Sequence, residues 1–381
     1  MITLQSFHNN SDYSSKVRLR NSKDYLNTLI VVEIITYELT KMDYIRKSKE
    51  VLSVIFLFVL IIPTSIMATN TPLVYGQANQ TISNADLLNM QDIPAKKVHV
   101  GDIDIAYKMV GRGDPILLFN GASDTMNAWD LSFLRSLSSN HTVIVFDSRG
   151  LGNTTAGSKP YSIQLLANDS AGLLNALKIP KADVMGYSLG SFIAQQFAVM
   201  YPEKINSLVL VAASCGGKDA VDQPPEFKKL QYEVVNKALK DVPISQEEMK
   251  SLVTASLGGG WIRLHPESLD IPANMTFQQM KPGLPPDTMN NQNNIGHLWT
   301  ATNWSGVCDQ LAKIAKPTLV IAGTDDNLYV PHANALVIAG KIPGAWLVQF
   351  KNAGHAVMDQ YSDEIGKIMQ IFLKTTSTPA S

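Results

Sequence analysis

VMGYSLGSFIAQQFAVMYPEKINSLVLVAAS runs from Val184 to Ser214. Near its start, Gly186-Tyr187-Ser188-Leu189-Gly190 sets a serine between two glycines. An apolar run precedes this pentapeptide. Ile193, Phe197 and Met200 follow at helical spacing, and Leu208–Ala212 reads as another buried strand. A serine on a sharp strand-to-helix turn takes strained backbone angles. Flanking glycines remove the Cβ clashes that such a turn would otherwise meet. The side-chain oxygen then stands above the sheet, beside the free N–H groups at a helix start. The plain alternative is an ordinary turn that needs small residues.

Reading outward, the pattern repeats on both sides. Val98–Val100 and Ile103–Val110 form a hairpin pattern turning near Gly101-Asp102. Pro115–Phe119, Thr142–Phe146 and Ala182–Met185 are short apolar runs, separated by helical patterns at Trp129–Leu137 and Ile163–Leu177. Such alternation predicts βαβ units in a mostly parallel, doubly wound sheet, with ligands at the carboxyl ends of its strands. Asn120-Gly121, Asp147 and the serine turn all fall at such ends. The alternation stops after Ala213. Glu226–Leu239 and Gln246–Leu257 are helical, and Pro282–Asn294 is polar, with no convincing strand. It resumes with strands at Thr318–Ala322 and Trp346–Phe350 and helices at Ala333–Ala339 and Ser362–Phe372. The division is therefore an N-terminal extension with signal or anchor (1–76), a linker (77–95), a core (96–214), a helical cap (215–305), the rest of the core (306–375) and a tail (376–381).

A serine is a weak nucleophile at neutral pH and needs a base. His355, in Asn352-Ala353-Gly354-His355, follows the last strand. His141 stands at a strand start, on the wrong edge, and His265 and His297 fall in the cap. The base needs an acid to fix its tautomer, and Asp325 and Asp326 follow the strand at Thr318–Ala322. The chain order Ser…Asp…His is the one expected for a nucleophile elbow on this kind of sheet. Leu189 N–H and Ala122 N–H are placed to stabilise an oxyanion. Asp147-Ser148-Arg149-Gly150 reads as a structural turn.

Taken together, FNG at 119–121, DSRG at 147–150, GYSLGS at 186–191, PTLVIAGTDD at 317–326 and NAGHAVMD at 352–359 resemble the α/β-hydrolase family. They span residues 96–375 in order. The resemblance implies the α/β-hydrolase fold with an inserted helical cap and a Ser188-Asp326-His355 triad, with Asp326 preferred over Asp325. It departs from the family at Asn120, where a histidine is usual, and at Ser191, where a glycine is usual. The serine nucleophile sets it apart from the dehalogenase and epoxide-hydrolase branches. It looks most like small esterases, enol-lactone hydrolases and cofactor-free haloperoxidase-like enzymes. Ester or lactone hydrolysis is the leading expectation. Binding without catalysis, carbon–carbon cleavage and perhydrolysis are the alternatives. Asn120, Gly121, Tyr187, Trp261 and Trp299 are candidate substrate contacts, and Met280 and Trp304 are further candidates for an apolar pocket. Core packing competes for the cap residues among them.

Composition narrows the rest. The 381 residues carry 32 Lys and Arg against 33 Asp and Glu, a formal net charge of −1. That balance, with no basic run interleaved with aromatics, gives no reason to expect a nucleic-acid partner. No metal site or organic-cofactor motif is visible, and the expected partner is a small ester-like molecule. Val51–Ile62 is uncharged, follows Arg46, Lys47 and Lys49, and precedes Pro63. This is a secretory-signal pattern, with cleavage near Ala68 or after Gly76; extended through Met67 it approaches an uncleaved anchor. The chain is then extracellular, or anchored and facing outside, with translation starting at Met1 or Met42. Sequons at Asn79, Asn140, Asn153, Asn168, Asn274 and Asn303 fit export. Cys215 and Cys308 flank the cap. Two buried free thiols are the preferred reading, with a disulfide clamping the base of the cap as the alternative.

Overall fold

The computed structural model describes residues 31–34, 90–272, 275–281, 283–301 and 306–377. The apolar segment 51–67, most of the linker, Trp304 and the sequons at Asn79, Asn274 and Asn303 lie outside these residues, as does the side chain of Met280.

Among the described residues, nine strands form one sheet: β1 Val31–Ile34, β2 Lys96–Val100, β3 Ile103–Val110, β4 Asp114–Phe119, β5 His141–Phe146, β6 Ala182–Tyr187, β7 Ile205–Val211, β8 Thr318–Gly323 and β9 Trp346–Phe350. Their spatial order is β1-β9-β8-β7-β6-β4-β5-β3-β2. The β2–β3 hairpin and the β3–β5 pair are antiparallel, and all other neighbours run parallel. The strand β1 was not expected. It lies in the segment read as an N-terminal extension and adds at the outer edge, beside β9.

Both faces of the central strands are covered, so β4 and β6 are mostly apolar; the exception inside β6, the buried Asp183, accepts from Ser207 Oγ at 2.6 Å. Ile116 and Leu118 of β4 enter one core with Phe133, Leu134, Ile365, Met369 and Phe372. These come from helices α1 (Leu131–Ser138) and, at the C-terminus, Ser362–Ser377. Leu117 and Phe119 enter the opposite core with Leu166, Ile193, Phe197 and Ile338. These come from helices α2 (Ile163–Ala176), α3 (Leu189–Met200) and Ala333–Lys341. The start of α1 is set by Asp130, whose Oδ1 accepts from Ser132 N and Phe133 N at 2.9 and 3.0 Å.

The expected cap is helical. Its helices are α4 Pro225–Leu239, α5 Gln246–Leu257, α6 Gly259–Leu264, α7 Phe277–Met280 and α8 Pro286–Thr300. Among its described residues the β pairing is one isolated bridge, Ile244 to Met275. Cys215 and Cys308 are joined in a disulfide, with Cα atoms 5.0 Å apart. This corrects the preference for free thiols. The chain leaves and re-enters the core at one place, where Val307 N–H donates to Cys215 O at 3.0 Å.

The turn after β5 is structural. Asp147 Oδ1 accepts from Met126 N, and its Oδ2 from Asn153 N. The buried Arg149 guanidinium bridges Asp169 and Asp102 with four hydrogen bonds between 2.8 and 3.0 Å. That pairing holds the Asp102 carboxyl well below the usual carboxylate range.

Candidate active site

Ser188 sits between β6 and α3 at φ 53° and ψ −121°. A non-glycine residue at this φ is strained, at a cost of order 1–3 kcal/mol, and is held only where its surroundings fix it. Here the Ser188 N–H donates to Val211 O at 3.0 Å and Ser188 O accepts from Ser191 N at 2.8 Å. Ser191 Oγ adds a second bond to the same carbonyl at 2.6 Å, so the departure from glycine at 191 is accommodated. Gly186 and Gly190 are required by close approach. A Cβ at 186 would strike the Gly190 carbonyl, and one at 190 would strike the Phe119 and Asn120 carbonyls.

Ser188 Oγ lies 2.8 Å from His355 Nε2, and His355 Nδ1 lies 2.7 Å from Asp326 Oδ2. The other Asp326 oxygen accepts from Val330 N at 3.0 Å, which fixes the carboxylate's direction. Asp325 faces away. Its Oδ2 accepts from Gly260 N at 2.6 Å. The imidazole of His355 is buried and stacked on the Tyr329 ring, with centroids 5.0 Å apart and planes at 24°. Burial, followed by the charge of Asp326, raises the Tyr329 phenol well above its usual range, so it stays neutral.

The cap closes over this group. Its segment Ser256–Gly260 rests on the loops carrying His355 and Asp325. Ala356 N–H donates to Ser256 O, and Gln360 Nε2 to Leu257 O, each at 2.8 Å. Glycine is needed for that contact, because a Cβ at 258 or 260 would collide with Asp325. Between cap and core lies a cavity of about 510 Å³ that reaches Ser188, Leu189, His355 and Ala122. Cap residues Val234, Ile244, Met249, Val253 and Trp261 give it an apolar wall.

Several expected contacts lie elsewhere. Trp261 lines the cavity; Asn120, Gly121, Tyr187 and Trp299 do not. Asn120 is buried, and its amide donates to Thr125 O at 2.7 Å, holding its loop. An added Cβ at Gly121 would come into ordinary contact with Asp124, Tyr187 and Ser188. Tyr187 Oη donates to His355 O at 3.1 Å from beneath the site. Trp299 is buried, stacks on Phe192 at 5.5 Å and donates Nε1–H to Ser214 O at 2.9 Å. Asn120, Tyr187 and Trp299 each have a hydrogen-bond partner in the core that competes with any ligand.

The sequence reading did not single out Tyr329 or Gln292, which also line the cavity. Tyr329 stands three residues beyond Asp326 on one loop, a signal that was available. Gln292 lies in a polar stretch of the cap with no distinguishing pattern.

The model of the alpha/beta hydrolase fold matches residues 114–360. The chain belongs to the α/β-hydrolase fold family. A poly(3-hydroxyalkanoate) depolymerase of Ectopseudomonas oleovorans is 31% identical over 260 residues, covering 68% of this chain and 84% of the relative. A thermophilic esterase from Thermogutta terrifontis superposes with a TM-score of 0.59 at 24% identity, over 75% of this chain and 100% of its own. A meta-cleavage product hydrolase from Pseudomonas fluorescens superposes with a TM-score of 0.55 at 22% identity, over the same shares. At those identities the two structures share the fold with this hydrolase-family chain.

Proposed function

We propose that the protein is a serine hydrolase acting on a carboxylic ester, lactone or similar carbonyl. The observation that supports this reading most directly is the Ser188–His355–Asp326 hydrogen-bonded chain opening into the cavity. Ser188 Oγ attacks the carbonyl carbon while His355 Nε2 takes its proton. Asp326 holds the imidazole tautomer and balances the imidazolium. Leu189 N–H and Ala122 N–H stabilise the oxyanion. The first of these begins a helix, where a backbone N–H has no intrahelical acceptor. The intermediate collapses, His355 returns the proton to the leaving alcohol, and an acyl-serine remains. Water attacks that ester with His355 again as base, releasing the acid and the free serine. The apolar wall favours a small or medium apolar acyl group.

Export, or anchoring with the catalytic domain outside, belongs to the same proposal. It is supported by the uncharged segment after Arg46, Lys47 and Lys49 and by a disulfide of the kind that persists in oxidising compartments. Among the described residues, no helix is long and apolar enough to cross a membrane. Cleavage near residues 68–76 would remove β1, leaving a sheet that begins at β2. N-terminal sequencing of the mature protein tests this.

The activity test is fluorophosphonate labelling of wild type beside Ser188→Ala, with p-nitrophenyl acetate and butyrate turnover in parallel. Labelling and turnover that both vanish in the variant are expected. Folded wild type that is neither labelled nor active would favour a ligand-binding protein on the same scaffold.

A further inference from the structure

The loop after β4 carries Ala122, the second oxyanion donor of the proposed mechanism. Its neighbour Ser123 has φ 65°, a left-handed conformation that a serine does not hold unaided. Two cap residues hold it. Gln292, from α8 and almost fully buried, presents Oε1 to the Ser123 N–H at 2.6 Å. Lys281, just after α7, donates Nζ to Ser123 O at 3.3 Å and to Asp124 Oδ1 at 2.7 Å. The N–H and the C=O of one residue are thus gripped from the cap. Because Gln292 occupies the Ser123 N–H, that group is not offered to substrate, and Ala122, the donor of the proposed mechanism, lines the cavity next to it.

We propose that Gln292 and Lys281 are positioning residues that set the oxyanion loop, so that the oxyanion hole is complete only while the cap is docked. This rests on the serine-hydrolase reading above. Both side chains line the cavity and reach the loop from the cap side. Gln292 acts through the Ser123 N–H, and Lys281 through the Ser123 carbonyl and the Asp124 carboxylate. A substrate that props the cap away from the core then loses oxyanion stabilisation as well as apolar contact.

The test uses the full chain with Gln292→Leu and Lys281→Met, beside the conservative Gln292→Glu and Lys281→Arg. Gln292→Glu keeps an acceptor for the Ser123 N–H, and Lys281→Arg keeps a cation for Asp124. The readouts are kcat and KM for p-nitrophenyl acetate, which is too small to need the cap's apolar wall, and the affinity of a trifluoromethyl ketone that forms a tetrahedral adduct. Leu and Met should each lower kcat by about tenfold to hundredfold with KM nearly constant, part of the loss seen when a whole oxyanion donor is removed. Affinity for the ketone should fall by the same factor, and the Glu and Arg variants should recover most of both. Unchanged kcat in folded Leu and Met variants would overturn the inference. So would a rise in KM alone with ketone affinity intact. Equal losses in the conservative variants would also overturn it, since those point to a general packing defect. Wild type that neither turns over nor is labelled by fluorophosphonate removes the hydrolase reading itself, and this inference with it.

Discussion

Asp325 and Asp326 are neighbours in the chain, yet their carboxylates face different partners: Asp326 meets His355 Nδ1 at 2.7 Å and Asp325 meets Gly260 N at 2.6 Å. One therefore serves the imidazole and the other ties the cap to the core. Asp326→Asn should lower kcat by on the order of 10⁴-fold, because an amide favours the wrong imidazole tautomer. Asp325→Ala should keep kcat within a few-fold. It should lower unfolding stability by about 1–3 kcal/mol, the cost of leaving a buried N–H without an acceptor. Steady-state kinetics and denaturant melts on both variants check this, and the reverse pattern would exchange the two roles.

Asp359 lines the cavity, partly buried. Burial, with the nearby charges of Asp124 and Asp130 and against that of Lys281, pushes its carboxyl from 3.8 up to about 8. In the folded protein it keeps its proton between those values, whereas in the unfolded chain it does not. The native state then binds more protons, so this group's contribution to stability falls as pH rises from about 4 to about 8. Asp359→Asn removes that loss. Its melting temperature relative to wild type should climb from pH 5 to pH 8 and level off above. A difference that shrinks with rising pH would contradict the assignment.

The disulfide closes a long loop around the cap, with 93 residues of sequence separation between Cys215 and Cys308. In the chain-entropy description such a closure is worth about 4–5 kcal/mol. Cys215→Ala with Cys308→Ala should lose stability of that order, and reductant should destabilise wild type but not the double variant. Alkylation of both thiols in native, unreduced protein would show that the bond is absent.

Trp261 and Trp299 look equivalent in the sequence, but only Trp261 lines the cavity. Trp261→Phe should shift kcat/KM toward longer acyl chains by about tenfold, comparing p-nitrophenyl octanoate with butyrate. Trp299→Ala should cost about 3–5 kcal/mol of stability, as expected for an emptied aromatic site, and leave that ratio unchanged. A larger change of acyl preference in the Trp299 variant would place it at the substrate instead.

Much of this was legible beforehand because the signals are local. Glycines at 186 and 190 around Ser188 answer a steric demand of the turn itself. Apolar runs bounded by turn residues locate β4, β5, β6, β7, β8 and β9 closely. The strand β1 was missed because four residues, Val31–Ile34, pair only with β9, more than 300 positions away. Asn120 and Tyr187 are candidate substrate contacts in the sequence. Their side chains turn instead toward Thr125 O and His355 O.

The sequence by itself determined the alternation of strands and helices, the interruption by a helical cap, and the positions of Ser188 and His355 at strand ends. These follow from periodicity and from backbone sterics within a few residues. The tertiary structure decided which of two adjacent aspartates meets the imidazole, whether Cys215 and Cys308 join, and that Gln292 grips a backbone N–H 169 residues away. Those outcomes depend on the direction in which a side chain leaves its loop and on what the rest of the fold brings within 3 Å of it. No short window of sequence contains that information.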